Sequence, residues 1–144
     1  MEKVKPLLHH CLYFTASTLS RIIARMADEE FKTTGLSPPH AFLMMIVTEN
    51  PGIAQKALGQ QLHLAPSTVT RFIDSLVYRG YLIRKNKGKT SAIYSTSKGK
   101  QLKKPIDAAW KRLYHKYSTI LGVKEGDQLT QMIDDAGRKL EGKV

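Results

Sequence analysis

Acidic residues and cysteine are both scarce in this sequence. Asp and Glu number only 12, against 23 Lys and Arg, so the formal net charge is +11. A single cysteine excludes an internal disulfide framework. No apolar run approaches the roughly 18 residues that suggest a membrane-spanning helix. The opening letters MEKVKPLLHHCLYF have no sustained apolar segment and no small-residue cleavage site, so we expect no signal peptide and a cytoplasmic protein.

The common catalytic motifs are absent as well. There is no glycine-rich phosphate loop, no nucleophile elbow and no zinc motif, so we expect neither an enzyme nor a cofactor. A metal site is also not expected. His9, His10, Cys11 and His115 are the metal-prone residues, but adjacent histidines on a helix point in different directions, and no carboxylate is close to them in sequence.

The excess of positive charge predicts a polyanionic partner. Nucleic acid is the first choice, and an anionic membrane surface is the second. The hydrophobic content of 42% is high enough for a folded core rather than a disordered chain.

Apolar residues at helical spacing predict three helices in the first part of the chain. Residues 7–31 read as one long amphipathic helix that ends before Gly35. Ser37 and the following proline begin a second helix, and its apolar segment 41–47 is expected to be buried. A third, short helix covers residues 55–61.

A fourth helix and a hairpin follow. Pro66 opens the helix, and Gly80 ends it. Its inward residues are predicted to be Val69, Phe72, Ile73, Leu76 and Val77. The pattern then alternates, which predicts strands at 81–85 and 90–95 joined by a turn at 86–89.

Two further helices complete the prediction. Thr96 caps a helix that extends to about Leu121, with a kink at Pro105, and Gly122 separates it from a last helix through residue 140. The fold class is therefore mainly α with a small β-hairpin, in one domain.

Two helices, a tight turn, a third helix and a basic hairpin make a winged helix-turn-helix. The second helix of such a pair enters the DNA major groove. The outer face of the 66–80 helix carries the candidate DNA-binding residues Pro66, Ser67, Thr68, Thr70 and Arg71. Arginine binds guanine through two hydrogen bonds, threonine methyls can touch thymine, and a helix N-terminus favours phosphate. Local helix capping is the alternative role for Ser67.

The wing is strongly basic. Between residues 84 and 104 there are eight basic residues and no acid, whereas residues 124–144 have four basic and five acidic residues. The candidate DNA contacts here are Lys85, Lys87 and Lys89. The alternative is that these lysines form only a solvated face.

The segment PSTVTRFIDSLVYRGYLIR, with GIAQKALGQQL before it and TSKG after the wing, resembles the MarR family of winged helix-turn-helix transcription regulators. The resemblance implies a single domain over 1–144, with a winged helix-turn-helix at 36–99 and dimerisation helices at 1–35 and 100–144. It also implies a homodimer that binds a pseudo-palindromic double-stranded DNA operator, as a repressor. Packing within one subunit is the alternative role for the terminal helices.

The wing departs from the family pattern. Many relatives carry an Asp-x-Arg arrangement whose arginine enters the minor groove, but the tip here reads NKGKTSA. The resemblance therefore supplies no base-reading arginine in this wing, while the lysines still predict attraction to phosphate.

The resemblance also suggests two ways of sensing a signal. Cys11 is a candidate redox sensor, similar in position to the cysteine of peroxide-sensing relatives, and the alternative is a small core residue. A small-molecule effector pocket is predicted at His10, Tyr13, Trp110 and Tyr114, where the alternative is simple packing. The competing function is a basic module that binds nucleic acid without sequence preference, or a membrane surface.

Overall fold

The computed structural model describes residues 4–144. These residues form two compact units, one ending at Ala109 and the other comprising Trp110–Val144. The elements in chain order are α1 (Val4–His9), α2 (Leu12–Phe31), a 3-10 turn (Lys32–Thr34), α3 (Pro38–Glu49), β1 (Ile53–Ala54), α4 (Gln55–Leu62), α5 (Pro66–Tyr78), β2 (Leu82–Lys87), β3 (Thr90–Ser95), α6 (Ser97–Lys100), α7 (Lys103–Leu121) and α8 (Val123–Glu141).

The predicted fold class is confirmed, and the sheet is larger than expected. Its three strands are antiparallel in the order β1-β3-β2. The two-residue strand β1, which pairs Ile53 with Ile93, was not predicted. Two residues are too short for an alternating pattern, so this strand depends on β3 alone.

The hairpin has a tighter turn than the sequence suggested. Strand β2 continues to Lys87, so only Gly88 and Lys89 form the turn. Gly88 has φ of 62°, which suits the first position of a type II′ hairpin turn. The Oγ of Ser91 donates a hydrogen bond to Oδ1 of Asn86 at 2.9 Å, so Asn86 belongs to the ladder rather than to the loop.

The prediction of one helix over residues 7–31 was wrong. The helix is interrupted between α1 and α2, where the backbone N–H of His10 donates to Leu7 O and that of Cys11 to Leu8 O. Each of these hydrogen bonds goes to the carbonyl three residues earlier, as in a 3-10 helix, and so tightens the last turn of α1. Cys11 then has an extended backbone, with φ of −98° and ψ of 118°. No glycine or proline marks the break, so periodicity could not locate it.

The predicted kink at Pro105 is also replaced by a break. Helix α6 ends at Lys100, and α7 begins at Lys103, so Pro105 lies in the first turn of α7. A proline ring there would clash with the carbonyl of Gln101 in a continuous helix, which explains the interruption. The predicted cap is confirmed, since Oγ1 of Thr96 accepts the Gly99 N–H at 3.0 Å.

The core of the first unit lies beneath α5 and the sheet. Val69, Ile73 and Leu76 are buried along one face of α5, as predicted, and Phe72 and Val77 are half-buried. The largest fully buried side chains in this unit are Phe31, Leu43, Met44, Leu58, Ile73, Leu76, Leu82, Ile93 and Ile106. This packing holds α5 from behind and leaves its other face exposed.

The second unit consists of the end of α7 and α8, which are separated at Gly122, where φ is 96°. Several large apolar side chains in it are exposed: Trp110, Ile120, Leu121, Val123, Met132, Ile133 and Leu140. Within residues 4–144, no helix has both the length and the apolar content needed to cross a bilayer.

Candidate nucleic-acid interface

Helix α5 is held at a close approach to α4. Gly59 of α4 is buried, and a Cβ on it would come within 3.0 Å of Cγ2 of Val69. The turn between the helices begins at His63, which has a left-handed φ of 54°. Glycine at the contact and a left-handed residue at the turn therefore set the helix-turn-helix geometry.

The predicted base-reading side chains lie on the outer face of α5. Pro66, Ser67, Thr70 and Arg71 are exposed, and Thr68 is half-buried. The Arg71 guanidinium is held near the helix by a weak contact to Oγ1 of Thr68, at 3.4 Å. Its exposure is what base contact requires, because a buried guanidinium could not reach DNA.

Ser67 does not cap the helix. Ala65 occupies the N-cap position, and Val69 is the first residue whose N–H bonds back, to Ala65 O at 3.1 Å. Pro66 has no N–H, so the backbone N–H groups of Ser67 and Thr68 are the donors at this helix end. Donors at a helix N-terminus are suited to a phosphate oxygen.

The hydroxyl of Thr70 already has two partners. Its proton goes to the Pro66 carbonyl at 3.0 Å, and its oxygen accepts a hydrogen bond from Nε2 of Gln55 at 2.8 Å. Gln55 is the first residue of α4 and was not predicted as a site residue. It is 15 positions from Thr70 in sequence, so only the tertiary arrangement identifies it.

An acidic residue of α5 is neutralised by the wing. Oδ1 of Asp74 lies 2.7 Å from the guanidinium of Arg84 on β2, whose side chain is only 26% exposed. The pair joins α5 to the wing and removes an uncompensated carboxylate from this surface. The positive charge of Arg84 is therefore already used in an ion pair within the protein.

Near the start of β2, two more cationic side chains bind groups of the protein itself. The Arg79 guanidinium donates to Gly35 O at 3.0 Å, and Nζ of Lys98 donates to Arg79 O at 2.9 Å. Both cations lie over the Tyr81 ring, at 5.2 Å and 4.8 Å from its centroid. These contacts attach the start of β2 to α6 and to the turn after α2.

Lys103 is also paired, at the start of α7. Its Nζ lies 3.1 Å from Oδ2 of Asp107 and 3.5 Å from Oε1 of Glu49. The hydrogen bond that Lys103 donates to Asp107 raises the pKa of Lys103, and the negative charges of both carboxylates raise it further. The positive charge of the 84–104 segment is therefore less available than the sequence alone suggests.

The lysines of the wing itself are exposed. Lys87 and Lys89 flank Gly88 at the hairpin tip. Lys85 lies two residues before Lys87 in β2, with its Nζ 5.0 Å from the Tyr94 ring centroid. Exposed ammonium groups on a projecting hairpin are suited to phosphate contact.

His40 packs directly behind the recognition helix. Its ring stacks on Phe72 of α5 at 4.1 Å between centroids, and Nδ1 lies 2.6 Å from Oγ of Ser37. Burial lowers the pKa of His40, and the nearby positive charge of Arg79 lowers it further. A neutral imidazole is therefore favoured at this contact.

We expect acid to weaken the fold through His40. The unfolded chain takes up a proton near the ordinary value of 6.5, whereas the folded chain does so only at lower pH. The unfolded state then binds more protons, and stability falls as the pH drops below 6.5. Urea unfolding at about pH 5 and about pH 7.5 should show a larger loss for wild type than for His40→Gln. Equal losses in the two proteins would contradict this role.

The residues predicted for sensing lie in both units. Cys11 is exposed and precedes α2, with the exposed His10 and Tyr13 on either side of it. Trp110 and Tyr114 belong to the second unit, where the Tyr114 hydroxyl donates to Oδ1 of Asp127 at 2.9 Å. That hydrogen bond raises the pKa of Tyr114. The effector pocket therefore stays a prediction. Over residues 4–144, no three His, Cys, Asp or Glu side chains are grouped so as to hold a metal ion.

Comparisons with known proteins bear on the same region. A sequence model described as MarR family matches residues 36–88, which extend from before α3 to the wing tip. Among curated proteins, no sequence matches the chain at a significant level.

Solved structures resemble most of the chain. The transcriptional repressor CouR bound to a 23-mer DNA duplex is 18% identical, with 90% of this chain and 94% of that chain covered at a TM-score of 0.82. The PcaV transcriptional regulator from Streptomyces coelicolor, in complex with its natural ligand, is 19% identical, with 91% and 94% covered at 0.82. The transcriptional regulator SlyA is 23% identical, with 88% and 91% covered at 0.74. At these identities the similarity establishes the fold.

Proposed function

We propose that the chain is a sequence-specific transcription regulator of the MarR family, whose sequence model matches its winged helix over residues 36–88. In this proposal it acts in the cytoplasm as a repressor and binds a pseudo-palindromic DNA operator as a homodimer. The observation that carries it is the exposed Arg71 on a helix whose opposite face is buried. The neighbouring lysines of the wing supply the attraction to phosphate.

The similar structures support the proposal by what they contain. CouR is a repressor on a DNA duplex, and PcaV is a regulator with its natural ligand. We therefore propose that a small-molecule effector releases the operator.

Exposed apolar side chains support the homodimer. In the first unit, Leu7 and Leu12 are 70% and 67% exposed, and in the second unit Met132 is 69% exposed. Apolar surface of this kind is stabilised by burial against a partner. We propose that the segments 1–35 and 100–144 form the dimer interface.

Selection of bound sites from random DNA with the purified protein tests the proposal most directly. We expect inverted half-sites whose centres are about 10 base pairs, or one helical turn, apart. DNA bound without any enriched sequence would favour the alternative of a non-specific nucleic-acid-binding module. Binding to anionic vesicles but not to DNA would favour a membrane-surface module.

Lys87→Ala should weaken binding to every DNA sequence by a similar factor. Removing one phosphate contact should lower the slope of log affinity against log salt by about one unit for each subunit's wing. The measurement is a salt titration of operator and random DNA. Lys124→Ala is the matched control, because it removes the same charge outside the winged helix. It lies in the proposed dimer segment, so its dimeric state is measured first, and with an intact dimer the slope should stay nearly unchanged. A selective loss on the operator alone would contradict a phosphate role for Lys87.

A second route of release is supported by the exposure of Cys11. We propose that peroxide weakens operator binding by oxidising this thiol, since an accessible thiol is open to oxidation. Cys11→Ser should bind the operator normally and lose the response to peroxide. An unchanged affinity of the wild-type protein after oxidation would end this part of the proposal.

A further inference from the structure

The hydroxyl of Thr70 has no proton left for DNA. A threonine hydroxyl has one proton, and here it is donated to the Pro66 carbonyl at 3.0 Å. The same oxygen accepts from Nε2 of Gln55 at 2.8 Å. Both partners lie within the first unit.

The side chain of Thr70 is nevertheless exposed on the recognition helix. Its hydroxyl has donated its only proton and accepts one hydrogen bond, so it offers DNA no donor, and the methyl group is the part left to contact an apolar group. In the major groove, an apolar side-chain group recognises the C5-methyl group of thymine.

We propose that Thr70 reads a thymine methyl group in each half-site and that Gln55 is the positioning residue that fixes Thr70 in this state. The inference rests on the proposed function, because it needs an operator. It assigns to Thr70 in particular the contact with thymine that the sequence predicted for threonine methyl groups in general. It also assigns to α4, which lies beside the recognition helix, a part in base preference.

The positioning role of Gln55 depends on the hydrogen bond that it donates to Thr70. Without it, the hydroxyl oxygen of Thr70 loses one partner and becomes available to water or to a base edge. Gln55→Ala should therefore reduce the preference for thymine without removing any direct base contact. Valine has the shape of threonine with a methyl group in place of the hydroxyl, so it needs no such restraint.

Deoxyuridine provides the test, because it differs from thymidine only by the missing methyl group. Each thymine of the selected operator is replaced in turn, and affinity is measured for wild type, Thr70→Ser, Thr70→Val and Gln55→Ala. We expect one position per half-site at which wild type loses about fourfold, the value of one buried methyl group. Thr70→Val should show the same fourfold decrease in affinity on deoxyuridine DNA. Thr70→Ser, which retains the hydroxyl and lacks the methyl, should bind the two DNAs equally.

The role of Gln55 is tested by rescue. Gln55→Ala should shrink the deoxyuridine effect, and the double variant Gln55→Ala with Thr70→Val should restore it. A purely structural defect at Gln55 would lower affinity for both DNAs equally and would not be rescued. Normal thermal unfolding of each variant confirms that it is folded.

Several outcomes would overturn the inference. One is a wild-type protein that selects an operator and is indifferent to every thymine methyl group. Another is a Thr70→Ser variant that keeps the deoxyuridine effect while Thr70→Val loses it, since the hydroxyl would then be the reading group. A wild-type protein that selects no sequence at all would instead refute the proposed function, and the inference with it.

Discussion

Arg71→Ala should reduce the preference for operator over random DNA by about 10- to 100-fold in each half-site. A bidentate arginine–guanine contact contributes about 1–3 kcal/mol of discrimination, and this guanidinium is exposed near the start of α5. The quantity to measure is the ratio of operator affinity to random-DNA affinity, with both at the same salt concentration.

Arg71→Lys separates base reading from charge. Lysine keeps the positive charge but lacks the planar pair of donors, so random-DNA affinity should stay close to wild type while the preference for operator falls. A preference that survives both substitutions would remove Arg71 from the base-reading surface. A lysine variant equal to wild type would mean that only the charge matters.

Gly99→Ala should destabilise the first unit by about 3 kcal/mol, near the upper end of the usual cost of overpacking. Gly99 is buried in α6, and a Cβ there would overlap the carbonyl oxygen of Tyr81 and lie 3.0 Å from Cε of Met44. The Tyr81 carbonyl belongs to the backbone and accepts a hydrogen bond from the N–H of Thr96 at 3.0 Å. It therefore cannot move away without breaking this hydrogen bond.

Gly137→Ala is the matched control for that substitution. Gly137 lies inside α8, and an added Cβ would meet no heavy atom within 4 Å. Alanine there should be neutral or stabilise by about 0.5–1 kcal/mol, because glycine is unfavourable within a helix. Urea unfolding of the two variants checks both values. A Gly99→Ala protein as stable as Gly137→Ala would show that the α6 contact is loose.

Much of the winged helix could be predicted from local sequence. Helix α5 begins at Pro66, as expected from proline in a first turn, and its buried stripe follows the predicted spacing. The Thr96 cap and the stop at Gly35, where φ is 74°, were also predicted correctly. Caps, glycine stops and periodic apolar residues depend on neighbours in the chain, so they are visible without a structure.

The failed predictions share a different cause. The break at Cys11 has no glycine or proline, and β1 is a strand only because it pairs with β3. The Gln55–Thr70 hydrogen bond joins residues 15 positions apart, and the Arg79–Gly35 bond joins residues 44 apart. No periodicity connects positions at such separations.

The sequence alone determined the recognition helix, its exposed polar face and the strong positive charge that follows it. Only the tertiary structure decided which of those charges are already paired within the protein. Arg84 is paired with Asp74, Lys98 is bonded to the Arg79 carbonyl, and Lys103 lies between Glu49 and Asp107. Charge is a property of each residue type, whereas pairing depends on which groups the folded chain brings within a few ångströms of each other.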